Sequence, residues 1–487
     1  MAVNVGIDLG TTNCTIGRIG ATGHLRLRGP VPSLGAYRNG EMIWGDEAKR
    51  VLLANDAMYT PIRDLKIALT GNEFRVGAET VYTIDMLVSL LNYLVQTLGL
   101  HPDDLETAVI GTPVSVNEPR KLRRVVEEGA KEVGFQAVRF VYEPTAALIG
   151  AESSLGWLEG RHLILVVDWG GGTLDLAVIR KEDNLYRELA VKANYNDLGG
   201  TYMDKELTDR VLEGSPDLKQ RVNTTPGHYE LLRGHVERHK EIILGDTLRD
   251  DNAPELFAPG WLGAAVTLYP AMVNEVITDF AQRAAQKVGT MLNRAGIRSS
   301  EITHILFAGG VSQSSIVRET IHAVIPGACV YHDAPQLQTG KGCTLVAKKD
   351  YAIELGADFG VRQSDESVCV MLPQGHPVAT DSYRKAHFMV TDPSAKEAVL
   401  DFGISTSDGD DGNHFARTCG RFQSKKQLWV KAGPPQTAGG SSIPDEIIVH
   451  AGVDHYLTVA VNAHSNRGKD SQKGYVSEIP LAIRLNR

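Results

Sequence analysis

Apolar positions follow two different rhythms along the chain, and the change comes near residue 349. Upstream, short apolar runs alternate with long amphipathic stretches. Residues 3–9 (VNVGIDL) form an apolar run ending in GTTN, and CTIGRIG follows, which predicts a strand, a tight turn at residues 10–13 and a second strand. Residues 163–168 (LILVVD), then WGGGT and LDLAVI, repeat the order of strand, glycine turn and strand. A hairpin met twice, each time with an acid beside its glycines, predicts two related α/β halves facing one another.

Helical periods fill the space between. Residues 83–98 (TIDMLVSLLNYLVQTL) carry a wide apolar face, and the strand TAVIGTP follows. Asn117 is placed to cap a helix running through LRRVVEEGAKEV to Gly134; the strand AVRFVY comes next, then a helix whose first turn holds Pro144. The longest amphipathic pattern, YPAMVNEVITDFAQRAAQKVGTMLNRAG, leads into the strand ITHILFA, the turn GGVS and a helix from about Ser314. Beyond residue 349 the runs SVCVML, HFMVTD, AVLDFGIS, QLWVKA, EIIVHA, YLTVAVNA and EIPLAIRL are short, alternate, and are separated by Gly, Pro, Asp and Ser. They predict a small antiparallel β domain. The expected division is an α/β domain over 1–349, a short linker over 350–355 (DYAIEL) and a β-rich domain over 356–487.

Composition narrows the picture. A chain of 487 residues exceeds one ordinary core, and 43% hydrophobic with 22% charged residues is neither disordered nor fibrous. The net charge of −9 opposes a phosphate backbone, so no nucleic acid is expected as principal partner, and the basic run at 120–124 (RKLRR) reads as a solvated helix face. Five scattered cysteines (Cys14, Cys329, Cys343, Cys369, Cys419) lack CxxC spacing, which speaks for a reducing compartment. The N-terminus has no leader pattern and no apolar run approaches about 20 residues, so the expectation is a cytoplasmic protein without a membrane partner.

Two glycine turns brought together would let backbone N–H groups approach phosphate oxygens closely. Gly10, Thr11 and Thr12 form one clamp; Gly170, Gly171, Gly172 and Thr173 form the other. GxxxxGK[ST] is absent, so this is not a Walker loop. Asp8, Asp168 and Asp175 flank the turns. Acids beside phosphates call for an intervening hydrated magnesium.

The segments IDLGTT (7–12), YEPTAA (142–147), VVDWGGGTLDLAVI (166–179), ERHKE (237–241) and FAGGVS (307–312), with VPSLGAY (31–37) and IWGDEAK (43–49), share an order and approximate spacing. In these the chain, over residues 1 to about 349, resembles the nucleotide-binding domain of the seventy-kilodalton heat-shock chaperone family. The resemblance implies an α/β fold, with an actin-like (ribonuclease H-like) two-lobed ATPase domain followed by a small antiparallel β-sandwich-like domain, and it implies ATP/ADP and Mg2+ as cofactors. It assigns nucleotide binding to 1–349 and substrate or partner binding to 356–487. Carried over by resemblance, Asp8 and Asp168, with Glu143 as a third acid, hold the water shell of the magnesium. Thr11, Thr12 and Thr173 contact phosphate, and Asp175 is the second acid near the attacking water. In PIRDLKIALTG, Lys66 is similar to the family's catalytic lysine, although one extra residue separates it from Gly71; Arg63 is the fallback. Lys66, Glu143, Thr173 and Asp175 thus form the implied catalytic set. Gly199, Gly200, Gly309 and Gly310 fall to nucleotide binding, as do Glu237 and Lys240, which match the ribose-contacting pair. Pro113 resembles the proline that links nucleotide state to the outer domain, with Arg120 as relay.

The departures are as informative. Glu241 and Gln313 stand where the family sandwiches adenine between arginines, Leu244 replaces a serine, and Gln336 replaces an aspartate. Weaker or less discriminating base binding follows. The β domain is only weakly similar, through VCVMLPQGHPVA and DEIIVHAGVDHYLTVAVNA, and no helical pattern follows it, so the expectation is a divergent member without the helical lid. HVERH (His235 and His239) is not a zinc motif, DGDD at 408–411 reads as a hairpin turn, and nothing marks Cys14 as a nucleophile. The implied function is a slow ATPase switch of the stress-response type that couples nucleotide state to binding of an unfolded or specific client protein by the β domain, with a co-chaperone or nucleotide-exchange factor as further partner. The alternatives are a nucleotide-dependent assembly or filament protein and a small-molecule kinase of the same fold.

Overall fold

A computed structural model describes residues 2–485 apart from 54–58, 77–78, 115–117, 153–159, 193–195, 226, 246–252, 349–350, 379–382, 393, 406–421, 439–440 and 478. The fold is mixed α/β, with eleven α-helices among the described residues, none long and apolar enough to cross a membrane. The cap expected at Asn117, the turn at 408–411 and Cys419 lie outside the described residues. The chain divides into two units: residues 1–177 with 192–349, and residues 178–191 with 350–487.

In the first unit, strands Val3–Asp8 and Asn13–Ile19 pair antiparallel around residues 9–12, with Ile7 opposite Ile16. Both isoleucines are fully buried, as is Val5, so burial of the apolar run read from the sequence drives the hairpin. On one side Leu25–Pro32 completes the sheet; on the other, Leu105–Thr112 and Ala137–Tyr142 add in parallel. The same order recurs: after the glycine turn a strand begins at Leu174, and Arg161–Trp169 is joined in parallel by His304–Ala308 and then Cys329–Tyr331. Ile164, Leu165, Val166 and Val167 are all buried, as a strand covered on both faces requires.

Helices follow their sequence signals. Pro119–Val133 starts on its proline and stops at Gly134, whose φ of 121° few other residues accept. Pro270–Ala295 buries Val273, Val276, Ile277, Phe280 and Ala284 on one stripe and ends at Gly296. Helices Glu143–Glu152 and Gln338–Lys348 approach backbone to backbone: a Cβ on Gly342 would stand 1.7 Å from the carbonyl oxygen of Ala146, and one on Gly150 would stand 2.0 Å from that of Gln338. Small residues at the crossing bring Glu143, at the start of the first helix, down onto the ends of the central strands.

In the second unit, Asp358–Arg362, Val368–Leu372, Glu397–Ser405 and Phe422–Lys431 form one antiparallel sheet, and Arg384–Met389, Glu446–Val453, Val459–Ser465 and Ser471–Val476 form another. The expected linker takes a different form. Tyr351–Leu355 is a strand, paired along its length with Leu481–Leu485, and the latter strand also pairs with residues 185–187. Tyr351, Ile353 and Leu355 register with Leu485, Ile483 and Leu481, so the partial apolar character of DYAIEL serves strand pairing. The backbone N–H of Leu481 is donated to the buried Glu188 carboxylate at 2.9 Å.

Candidate active site

Asp8 and Asp168 each stand at the end of the strand that enters a glycine turn, and the two turns touch. A Cβ on Gly172 would lie 2.1 Å from the Thr11 hydroxyl and one on Gly171 would lie 2.3 Å from a Thr12 methyl, so this meeting is open only to glycine. One cavity is lined by Asp8, Gly10, Thr11 and Thr12 from the first hairpin, by Asp168, Gly170, Gly171, Gly172, Thr173 and Asp175 from the second, and by Lys66, Glu143, Gly309, Gly310, Gln336 and Thr339.

Local chemistry fixes each polar group. Lys66 belongs to the short helix Leu65–Ala68, entered through Asp64 in the left-handed region (φ 56°), and its ammonium donates to Glu143 Oε1 at 2.5 Å. Thr173 donates its hydroxyl to Asp175 Oδ2 at 2.7 Å, and the N–H of Val114 meets the other oxygen at 3.3 Å. Thr339 donates to Asp168 Oδ2 at 3.1 Å.

Four carboxylates therefore share this hollow with one ammonium. Burial, then the Glu143 charge, raises Asp8 and Asp175 well above the usual carboxylate range and pushes Asp168 up to about 7. Burial pulls Lys66 down, but Glu143 and Asp8 outweigh it and hold the lysine above its ordinary value. Such an excess of buried acid is matched by a divalent cation, so the donor set fits magnesium. Among the described residues no three His, Cys, Asp or Glu side chains converge closely enough to ligate one ion together.

The other residues that the resemblance assigns to nucleotide binding occupy different surroundings. Gly200 and Thr201 donate their N–H groups to the carbonyls of Gly170 and Gly171 at 3.1 and 2.8 Å, and Gly199 leaves room for that approach, so this corner braces the second turn from behind. Glu237 lines a second cavity that also includes Thr11 and Thr12, together with Arg63, Asp64, Arg233 and Glu241. Its carboxylate accepts from Arg63 at 2.9 Å; burial alone would raise it, but Arg63 and Lys240 hold it low. Lys240, one turn on, is buried and donates to Asp204 at 2.6 Å, and burial pushes Asp204 up to about 6 against that pull. Gln313 is exposed and donates to the Gly310 carbonyl at 3.3 Å.

Two sequence expectations are corrected. The guanidinium that meets Pro113 is that of Arg123, which donates to the Pro113 carbonyl at 3.0 Å and to the Thr112 hydroxyl at 3.1 Å and lies 5.4 Å from the Tyr142 ring centre. Arg120 had been expected in that role. Arg123 is 1% exposed, so the run at 120–124 is not wholly a solvated face. Its place on the stripe of Val126, Glu127 and Ala130 was the signal that could have found it. His235 and His239 stack on Phe257, with ring centres 5.9 and 4.2 Å away, and His239 pairs with Glu255. Cys14 is buried against the Ser33 hydroxyl, and burial pushes its thiol up to about 11, so it stays protonated.

Residues 78–327 match the family model described as Hsp70 protein. The chain is also similar to the chaperone protein DnaK of Mycoplasmoides gallisepticum, with 27% identity over 340 residues, which cover 66% of this chain and 56% of that protein. It thus spans little more than half the length of this curated relative.

Proposed function

Because the chain belongs to the Hsp70 family, whose members are chaperone ATPases, we propose that it binds ATP with Mg2+ between its two glycine turns, hydrolyses it slowly, and uses the nucleotide state to govern binding of a protein client by its C-terminal β-rich part. The observation carrying this reading is the cavity of Asp8, Glu143, Asp168 and Asp175 around one lysine, open to two touching backbone turns. In this reading the first unit is the actin-like two-lobed ATPase and the two four-stranded sheets of the second are a β-sandwich. The N–H groups of residues 10–12 and 171–173 bind phosphate oxygens, while that of Gly170 closes the turn on the Thr173 carbonyl at 3.1 Å, with the hydroxyls of Thr11, Thr12 and Thr173 beside the phosphates.

Magnesium, when bound, neutralises phosphate charge and orients the terminal phosphate. Asp8, Asp168 and Glu143 would hold it through water. Asp175, fixed by Thr173 and the Val114 N–H, accepts a hydrogen bond from the attacking water; Lys66, steered by Glu143, holds that water and offsets charge developing on the phosphate. Arg123, clamped between Pro113 and Tyr142, fits the relay between the cavity wall and the outer part of the molecule.

The test is phosphate release from ATP without an acceptor, repeated with an unfolded polypeptide, in the wild type and Lys66→Ala. The proposal expects slow turnover raised by the polypeptide, and a fall of about 10²–10³ in the variant with nucleotide binding retained. Turnover that depends on a small hydroxylated acceptor, or a variant as active as the wild type, would refute it.

A further inference from the structure

One face of the sheet formed by Arg384–Met389, Glu446–Val453, Val459–Ser465 and Ser471–Val476 carries chemistry that the nucleotide site does not use. Its inward residues, among them Ile447, Val449, Ala451, Val461 and Ala463, are buried. Strand register places the outward residues in rows. Lys385, His450, Asn462 and Lys473 face one another across the four strands, and His387, Ile448, His464 and Ser471 form the adjoining row. His387 and His464 share one row on either side of Ile448, His450 on the strand between them lies diagonal to both, and the rings of His450 and His464 stack 5.8 Å apart. Exposed Tyr383 and Tyr475 border the cationic row, with Tyr383 lying against Gly452. Glu446, opposite Met389 in the row beyond these two, supplies a carboxylate on the same face, and its Oε1 stands 2.7 Å from His387 Nδ1.

We propose that this sheet face is a docking surface for an acidic polypeptide segment, held between Lys385 and Lys473 and gripped more tightly when the three histidines are protonated. Charge complementarity selects the partner, since two lysines and three imidazoles oppose one carboxylate. The spacing agrees. Four strands span about 14 Å from the first row position to the last, which is the distance between side chains four apart in an extended chain. The net charge of −9 favours a short acidic segment over a long polyphosphate chain, because only the segment confines its charge to this face.

The groups governing the pH response are those facing His450: Lys385 opposite, Asn462 on the other flank with Lys473 beyond it, and His387 and His464 on the diagonals, His387 being itself paired with Glu446. Burial, then His464, Lys385 and His387, holds His450 below its ordinary value, so this imidazole gains its proton late on acidification or when a carboxylate arrives.

The surface is tested with the full chain and a fluorescein-labelled peptide of alternating Glu and Ser, read by anisotropy. The expected result is saturable binding, roughly tenfold tighter at about pH 5 than at about pH 8 and weakened by salt. Lys385→Glu with Lys473→Glu abolishes binding at both pH values, and His450→Gln with His464→Gln keeps the binding at the higher pH but loses most of the gain on acidification. None of these four residues lines the nucleotide cavity, so ATP turnover without added polypeptide is unchanged in both. Undiminished binding by the lysine variant, or binding of a single-stranded oligothymidylate in place of the peptide, would overturn the proposal.

Discussion

Replacing Asp168 with asparagine tests the electrostatics of the cavity directly. Asp168 is 7% exposed, shares its hollow with Asp8, Glu143 and Asp175, and has its pKa pushed from an ordinary 3.8 to about 7, chiefly by burial and then by Glu143. The folded carboxyl therefore binds its proton at higher pH than the unfolded one, and in the ligand-free protein stability is lost as pH rises from about 4 through about 7. Each pKa unit is worth 1.36 kcal/mol, so a rise of about three units amounts to about 4 kcal/mol against folding at pH 8. Asparagine has nearly the same shape, carries no charge, and its carbonyl can still accept from the Thr339 hydroxyl that now donates to Asp168. Asp168→Asn is therefore expected to be more stable than the wild type at pH 8 without nucleotide, by a few kcal/mol, with a melting temperature higher by several degrees. The two proteins converge near pH 4, where both side chains are neutral. Added Mg2+ and ATP reverse the order, because a cation repays the buried acids of the wild type and finds one fewer in the variant. Melting curves across this pH range, with chelator and then with nucleotide and magnesium, decide the matter. A variant that melts below the wild type at pH 8 in chelator would refute the reasoning.

Two further substitutions probe the frame around the site. Gly342→Ala places a methyl on the Ala146 carbonyl, where only 1.7 Å is available, and is expected to cost at least about 3 kcal/mol by prising apart helices Glu143–Glu152 and Gln338–Lys348; a denaturant titration measures it, and nucleotide affinity falls as Glu143 shifts. Ile483→Pro removes a backbone donor from a strand paired on both sides, opposite Tyr186 and Ile353, and is expected to cost about 3 kcal/mol or more; limited proteolysis near residue 353 is then faster than in the wild type.

Much of the first unit was legible because its signals are local. Each hairpin is announced by apolar runs on either side of glycines, and the helices ending at Gly134 and Gly296 by an apolar stripe and a stop. The acids Asp8, Asp168 and Asp175 could be singled out because they sit within two residues of a turn. Lys66 and Glu143 required the family resemblance, since 77 positions separate two groups that meet in one ion pair.

What the chain could not disclose depends on which neighbours the fold supplies. DYAIEL is too short and mixed to declare itself a strand; only Leu481–Leu485, arriving from the far end of the sequence, gives its backbone groups partners. Arg123 sits in a basic run that favours solvent on composition alone, and its burial is decided by the carbonyl of Pro113, the hydroxyl of Thr112 and the ring of Tyr142 converging on it. That Gly199 and Gly200 carry the second turn, through the close approach of their backbone to residues 170–172, is visible only in the fold. Periodicity and turn chemistry, which act over a few residues, were thus set by the sequence itself. Register between distant strands and the satisfaction of buried charge were decided in three dimensions, because a hydrogen bond or an ion pair has no sequence signature beyond the reach of one turn.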